Sequence, residues 1–286
     1  MSNSGTTALA ERSSIKALLA QEAVKKRFEE MLGKRAAGFM SSVINLVNSD
    51  SNLQKCDPRK VLGCAAIAAS MDLPIDRNLG FAWIIPYENR KNGTVEPQFQ
   101  LGYKGFIQLA MRTGQYKTIN AAEVYEGEIK SHNRFTGEIE FDPEGRKSDK
   151  IIGYVAYFKL INGFEKYHYM TVEQIKAHAK RYSQGYGKAW SRWTTDFDAM
   201  ALKTVLKLLL SKYGILSIEM QTALKADQAS ITPQDDGDFQ FEYPDSTVIE
   251  GEYSEVGEPT GAGANDLNAR LEAEEAHQGT LLGNES

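Results

Sequence analysis

The chain has 286 residues, room for one large domain or one domain with appendages, and its 42% hydrophobic and 10% aromatic content suits a packed core. Two cysteines, Cys56 and Cys64, and four scattered histidines exclude a disulfide framework and a zinc site, and no stretch approaches the ~20 apolar residues of a membrane span. The net charge of −5 hides a split: residues 226–286 hold 15 acidic residues and one basic residue, Arg270, whereas residues 1–225 hold 32 basic and 23 acidic residues, a net +9. A basic body with an acidic tail fits a polyanion binder carrying a separate interaction segment. Without an apolar leader or disulfide framework, the chain is expected in the cytoplasm.

The first eight residues are small and polar. From Arg12 to Leu32 the apolar positions Ile15, Leu18, Leu19, Val24, Phe28, Met31 and Leu32 recur at helical spacing. A second helix is predicted over Ala36 to Val47, and a third from Pro58, a favoured first-turn residue, to about Met71. Gly80 to Pro86 reads as a buried strand, Asn92-Gly93 as a hairpin turn and Val95 to Leu101 as the return strand. A helix follows over Tyr103 to Thr113, stopped by Gly114. Strands are predicted near 116–129, 134–142, 151–161 and 164–170, the last two joined by Asn162-Gly163, and helices over 172–182 and 195–213. Beyond Leu224 the composition turns to Asp, Glu, Gly, Pro and Ser, which cannot bury a core. The chain thus divides into an N-terminal helical region (1–52), an α+β core (53–225) and an acidic tail (226–286) expected to be disordered, with weak helical potential near 266–276.

Three basic stripes stand out in the body. On the helix at Tyr103, the residues Tyr103, Phe106, Ile107 and Ala110 share one face, while Lys104, Gln108 and Arg112 line another. The preceding hairpin carries Arg90 and Lys91 in its turn and brings Gln98 and Gln100 up to Tyr103 and Lys104. Residues 176–193 interleave Lys176, Lys180, Arg181, Lys188 and Arg192 with Tyr182, Tyr186, Trp190 and Trp193, and no acid falls between Glu173 and Asp196. Bases stack on aromatic rings for roughly 1–3 kcal/mol each while Lys and Arg neutralise phosphates. The third stripe, Lys203, Thr204, Lys207 and Ser211, runs along a helix that is otherwise apolar and opens with a capping-box pattern at Thr195–Asp198. Such a stripe must open onto water or onto an anion. The blander readings are solvated helix faces, snorkelling lysines and core tryptophans.

Enzyme signatures are weak. Gly185-Tyr186-Gly187-Lys188-Ala189 lacks the spacing and the Ser or Thr of a phosphate loop. Glu128-Ile129-Lys130 matches a fragment of a metal-dependent nuclease, a three-residue match expected by chance. His132, His168, His178 and His277 show no metal or triad spacing. No catalytic constellation is found, and a non-enzymatic binding protein is expected.

Three blocks resemble the RecT group of phage and prophage single-strand annealing proteins. They are Leu79–Tyr87 (LGFAWIIPY), Gln98–Gly105 (QFQLGYKG) leading to Leu109, Ala110 and Arg112, and the spaced set Trp193, Phe197, Met200, Lys203, Thr204 and Lys207. Together they span most of 53–225. Phe197 stands where the family often has Trp, and Lys207 where Arg is also found, which loses Arg's bidentate grip. The resemblance implies a small curved antiparallel sheet backed by a helix, ATP-independent annealing of complementary strands, ring or helical-filament assembly, and work beside a phage exonuclease in a bacterial host. No cofactor is required on this reading, with Mg2+ at most a modulator of DNA binding. The expected DNA contacts are Arg90, Lys91, Gln98, Gln100, Tyr103, Lys104, Arg112, Lys180, Arg181, Lys188, Arg192, Lys203, Thr204 and Lys207. The expected partners are single-stranded DNA, the annealed duplex, further copies of the chain, the exonuclease and a host single-strand-binding protein, with no membrane. A passive strand-coating protein is the first alternative and a nuclease using Glu128 and Lys130 the second. The N-terminal helices are expected to bury apolar faces partly against a neighbouring subunit, and the tail to compete with DNA or to dock a partner.

Overall fold

Helical spacing of apolar residues produces α1 (Ile15–Leu19), α2 (Glu22–Leu32), α3 (Ala36–Asn48) and α4 (Pro58–Ser70). The computed structural model describes residues 14–243, apart from 77, 90–92, 184, 190 and 235–238. The single helix expected over Arg12–Leu32 is two, because Gln21 adopts an extended conformation (φ −67°, ψ 135°) and interrupts it. Ser14 caps α1 by accepting from the Ala17 N–H, and Asp57 caps α4 by accepting from the Arg59 N–H, with Pro58 in the first turn as expected. Ile15, Leu19, Phe28, Leu32 and Val43 are buried in the same core as Val61, Cys64 and Ile67 of α4. These apolar faces pack into the chain's own core.

Strands β1 (Ala82–Asn89) and β2 (Thr94–Leu101) form the expected hairpin, in register from Ala82 opposite Leu101 to Asn89 opposite Thr94. Their sheet does not end there. Strands β8 (Ser230–Pro233) and β9 (Phe239–Glu242) extend it antiparallel, in the order β1-β2-β8-β9. The tail expected to be disordered from 226 therefore begins with core: Asp227, Ala229, Ser230 and Ile231 are buried. Helix α4 lies against β8 so closely that a Cβ on Gly63 would sit 2.7 Å from the Ile231 carbonyl oxygen. Two four-residue strands inside an acidic segment are too short to register in composition. Residues 244–286, including the helical potential near 266–276, lie outside the described residues.

The second sheet, ordered β3-β6-β7, joins β3 (Tyr116–Tyr125), β6 (Ile151–Leu160) and β7 (Glu165–Thr171), all antiparallel. The segments expected as strands 116–129 and 134–142 instead give β3 and a separate small hairpin, β4 (Ile129–Asn133) with β5 (Glu138–Phe141). The remaining helices are α5 (Tyr103–Arg112), α6 (Val172–Tyr182), α7 (Arg192–Thr195), α8 (Phe197–Tyr213) and α9 (Ile218–Ala226). Helix α8 backs the β3-β6-β7 sheet, so the architecture is the expected α+β arrangement of antiparallel strands backed by a helix, with two main sheets rather than one. Phe99, Phe106, Tyr154 and Phe158 are fully buried where the layers meet, each contributing about 1.5–3 kcal/mol.

The capping box predicted at Thr195–Asp198 does not form. Asp196 makes no capping bond and instead approaches Arg192 at 3.6 Å, while Asp198 accepts a 2.5 Å bond from the Tyr154 hydroxyl and ties the start of α8 to β6. Among the described residues no helix is long and apolar enough to cross a membrane.

Candidate nucleic-acid interface

Alternation along β1 sends Ala82 and Ile84 into the core and leaves Trp83, Ile85 and Tyr87 on the opposite face. Across the hairpin Trp83 pairs with Gln100 and Ile85 with Gln98, so the two glutamines share that face. This face is the floor of a groove. One wall is the start of α5, with Tyr103 and Lys104; the other is α7 and α8, with Arg192, Trp193, Met200 and Lys203. Three adjoining hollows of about 280, 130 and 350 Å³ share Arg192, Gln100, Met200, Trp193 and Lys203 in overlapping pairs and so form one continuous trough. Its far end is lined by His178, Tyr182, Thr204 and Lys207.

Trp83 forms the floor at the end of the trough beside α5. A Cβ on Gly102 would meet the Gly80 carbonyl oxygen at 2.1 Å and the Trp83 ring at 2.7 Å, so glycine is required for the indole to lie against the backbone. Among the described residues the buried Trp83 indole nitrogen has no hydrogen-bond partner, and the Arg192 guanidinium sits 5.8 Å from the centre of the ring. Trp193, by contrast, is buried and packs edge-on against Tyr186 and Phe197. It supports the wall rather than presenting a stacking face. Gly102→Ala is expected to cost about 1–3 kcal/mol by overpacking and to weaken single-strand binding in parallel, read by thermal melting and fluorescence anisotropy on an oligonucleotide.

The lysine stripe of α8 opens onto an anion, and that anion belongs to the chain itself. Lys203 Nζ is 2.9 Å and Lys207 Nζ 2.6 Å from the two carboxylate oxygens of Asp227, which also accepts the Leu101 N–H at 2.9 Å. Asp227 is fully buried at its side chain, Lys203 is 9% exposed and Lys207 28%. Burial alone would raise the Asp227 carboxyl; the two ammonium groups outweigh it and hold the group down to about 2. Burial pulls Lys203 below its ordinary value, with Asp227 opposing. Two lysines against one carboxylate leave a net positive charge at this end of the trough, and Lys207 carries its solvent-facing part. His178 beside them is depressed by burial and then by Lys207 and Arg181.

The expected contacts divide accordingly. Gln100, Tyr103, Lys104, Arg192, Lys203, Thr204 and Lys207 line the trough. Gln98 also reaches it, but its amide donates to the Gln228 carbonyl at 2.7 Å and the side chain is buried. Lys188 is exposed in the loop after α6, and Lys180 and Arg181 are exposed on that helix's last turn beside Tyr182. Arg112 lies elsewhere. Its guanidinium donates to the Met71 and Asp72 carbonyls at 2.6 and 2.8 Å, joining the end of α5 to the turn after α4. Arg112→Ala is therefore expected to lower the melting temperature while leaving DNA affinity within about twofold. Arg90, Lys91 and Trp190 lie outside the described residues. Of the nuclease pair, Glu128 caps a turn by accepting the Tyr125 N–H and Lys130 approaches Asp142 at 3.6 Å.

The sequence reading missed Asp227, and also Met200 and Ile85 as apolar lining. The only signal for Asp227 was the two-lysine stripe itself, which demanded an anion without saying where it came from.

Comparison with known proteins is consistent with this geometry. Over 210 residues the chain is 55% identical to the uncharacterized protein YqaK of Bacillus subtilis (strain 168), covering 73% of this chain and 70% of that protein. It is 29% identical over 210 residues to Protein RecT of Escherichia coli (strain K12), covering 71% and 73%. A family profile described as RecT family matches residues 37–241, from α3 to β9, and so includes the floor of the trough, both walls and the buried Asp227. A match across that much of the chain places it in a family: this protein belongs to the RecT family.

Proposed function

We propose that this RecT-family protein binds single-stranded DNA along the trough and anneals it to a complementary strand, without ATP and without catalysing a covalent step. The observation that carries the reading is the trough itself: a continuous channel with an aromatic floor at Trp83 and cations on both walls, Lys104 facing Arg192, Lys203 and Lys207. Cations on both walls hold a sugar-phosphate backbone, and neither phosphate contacts nor stacking on aromatic rings reads sequence. Watson–Crick pairing then supplies both the specificity and the driving free energy.

Further copies of the chain would lay such troughs end to end in a ring or filament. Exposed apolar residues on the body, among them Met111, Ile161, Leu216 and Ile218, support self-association. In a bacterial cytoplasm a partner exonuclease would produce the strand and a host single-strand-binding protein would compete for it. Mg2+ would act only by screening phosphates.

The test is direct. Dilute complementary oligonucleotides are mixed with and without protein, and duplex formation is timed; an annealing protein accelerates pairing and leaves strand lengths unchanged in Mg2+. A protein that merely coats strands slows pairing, and a nuclease shortens them. Binding must also weaken with salt, with a log–log slope of about −0.7 per phosphate neutralised. An affinity that holds constant between about 50 and 200 mM salt would refute the trough as a backbone site.

A further inference from the structure

The small hairpin β4–β5, strand β7 and the C-terminal end of α8 together line a second, open hollow of about 320 Å³. Its lining includes Arg134, Lys166 and Lys212, with His132 and His168 between them. No carboxylate lines it. Glu138 and Glu140 flank Ile139 on β5, and since Ile139 lines the hollow the alternation of the strand turns both acids to the other face of the hairpin. Among the described residues none of the three cations forms an ion pair, in contrast to the lysines at Asp227. Lys166 donates to the Thr136 carbonyl, which holds its ammonium over the hollow, and Lys166 and Lys212 flank the Tyr213 ring at 5.4 and 5.2 Å. Among the described residues the buried His168 Nε2 has no hydrogen-bond partner.

The hairpin tip is built to project. The Asn133 side chain accepts from the Phe135 and Thr136 N–H groups and folds the turn on itself. Phe135 is left 86% exposed, with the Arg134 guanidinium 4.8 Å from its ring centre. Unneutralised cations set beside an exposed aromatic ring are the pair of features that bind a nucleotide: phosphate to the cations, base to the ring. An acidic peptide would satisfy the cations and leave Phe135 unused.

This hollow is separate from the trough. Lys212 follows Lys203 by nine residues of α8, which at 3.6 residues per turn places it about half a turn round the helix and about 14 Å along it. We propose that the hairpin hollow is a second single-strand DNA contact, holding a nucleotide of the incoming strand with its phosphate among Arg134, Lys166 and Lys212 and its base on Phe135. The assignment of the ligand rests on the annealing reading above. The two sites would hold the two strands on different sides of α8 until pairing begins.

Photo-crosslinking of the full-length protein to an oligonucleotide carrying 5-iodouracil tests this, with crosslinked peptides mapped by mass spectrometry. Crosslinks are expected at Trp83 in the trough and, independently, at Phe135. The hairpin crosslink should persist in Lys104→Ala/Arg192→Ala and disappear in Lys166→Gln/Lys212→Gln, whose trough crosslink should remain. In a second measurement, protein saturated with an unlabelled oligo-dT retains a labelled, non-complementary oligo-dC; Phe135→Ala should weaken that retention about tenfold, within the range for loss of one base stack, with first-strand affinity unchanged. Crosslinks confined to the trough, or a hairpin crosslink indifferent to Lys166→Gln/Lys212→Gln, would overturn the second site. In the unsubstituted protein, a Phe135 crosslink without any Trp83 crosslink would refute the trough instead.

Discussion

Replacing Asp227 by alanine is expected to destabilise the protein by about 3–5 kcal/mol, the cost of leaving a buried charge without its partner. For a body of this size that lowers the melting temperature by roughly 10 °C or more. Two ammonium groups would lose their carboxylate, Lys203 has little access to water, and the Leu101 N–H would lose its acceptor. Asp227→Asn keeps an acceptor for Leu101 and should cost less. Adding Lys203→Met to Asp227→Asn should recover part of the loss, because Lys207 can reach solvent on its own. The carboxyl is depressed in the folded state, so its contribution is present above the unfolded value near 4, declines as pH falls toward about 2, and is absent below that. The acid limb of the stability curve should therefore flatten in Asp227→Asn. Ending the chain at Ala226 removes Asp227 together with β8 and β9 and should prevent folding, whereas ending it at Tyr243 retains them. An Asp227→Ala protein that melts within 2 °C of the parent, a ΔΔG of only about 1 kcal/mol or less, would show that the triad is not a stability element.

The second large effect is on DNA. Lys104→Ala combined with Arg192→Ala removes one cation from each wall of the trough and should reduce single-strand affinity about 100-fold at moderate salt, taking about 1.5 kcal/mol for each charged contact. The salt slope should become shallower by about 0.7 for each lost phosphate contact. Folding should be unaffected, since both side chains are exposed and the ion pair of Arg192 with Asp196 is at the surface. Arg192→Lys keeps the charge but not the planar group over Trp83, and should fall between the parent and alanine. If the double variant binds with the parent's affinity and slope, the DNA backbone does not pass between these walls.

The two predictions sit at opposite ends of what periodicity can disclose. Tyr103, Phe106 and Ala110 on one face of α5, the pairing of β1 with β2, and the Asn162-Gly163 turn between β6 and β7 are all legible, because each is specified by residues within a few positions of one another. So is the pairing of Lys203 with Lys207 on one stripe. The occupant of that stripe is not legible. Asp227 lies 20 residues beyond Lys207, in a segment whose overall composition belongs to a chain without a core, so nothing local to the stripe points to it. Arg112 shows the same limit from the other side. Its place on the polar stripe of α5 is correct, yet that end of the helix turns to the Met71 and Asp72 carbonyls rather than to the trough.

The sequence by itself determined the basic body, the order of most helices and strands, the family and which residues share a face, since charge balance and helical or strand period are local properties of the chain. Only the tertiary structure decided what each face meets. It gave the α8 lysines an internal carboxylate, set Trp83 on the floor and Trp193 in the wall, and gathered Arg134, Lys166 and Lys212 from three separate elements into one hollow. Ion pairing and desolvation depend on distance in space, and folding brings to within 3 Å groups that are 24 residues apart along the chain.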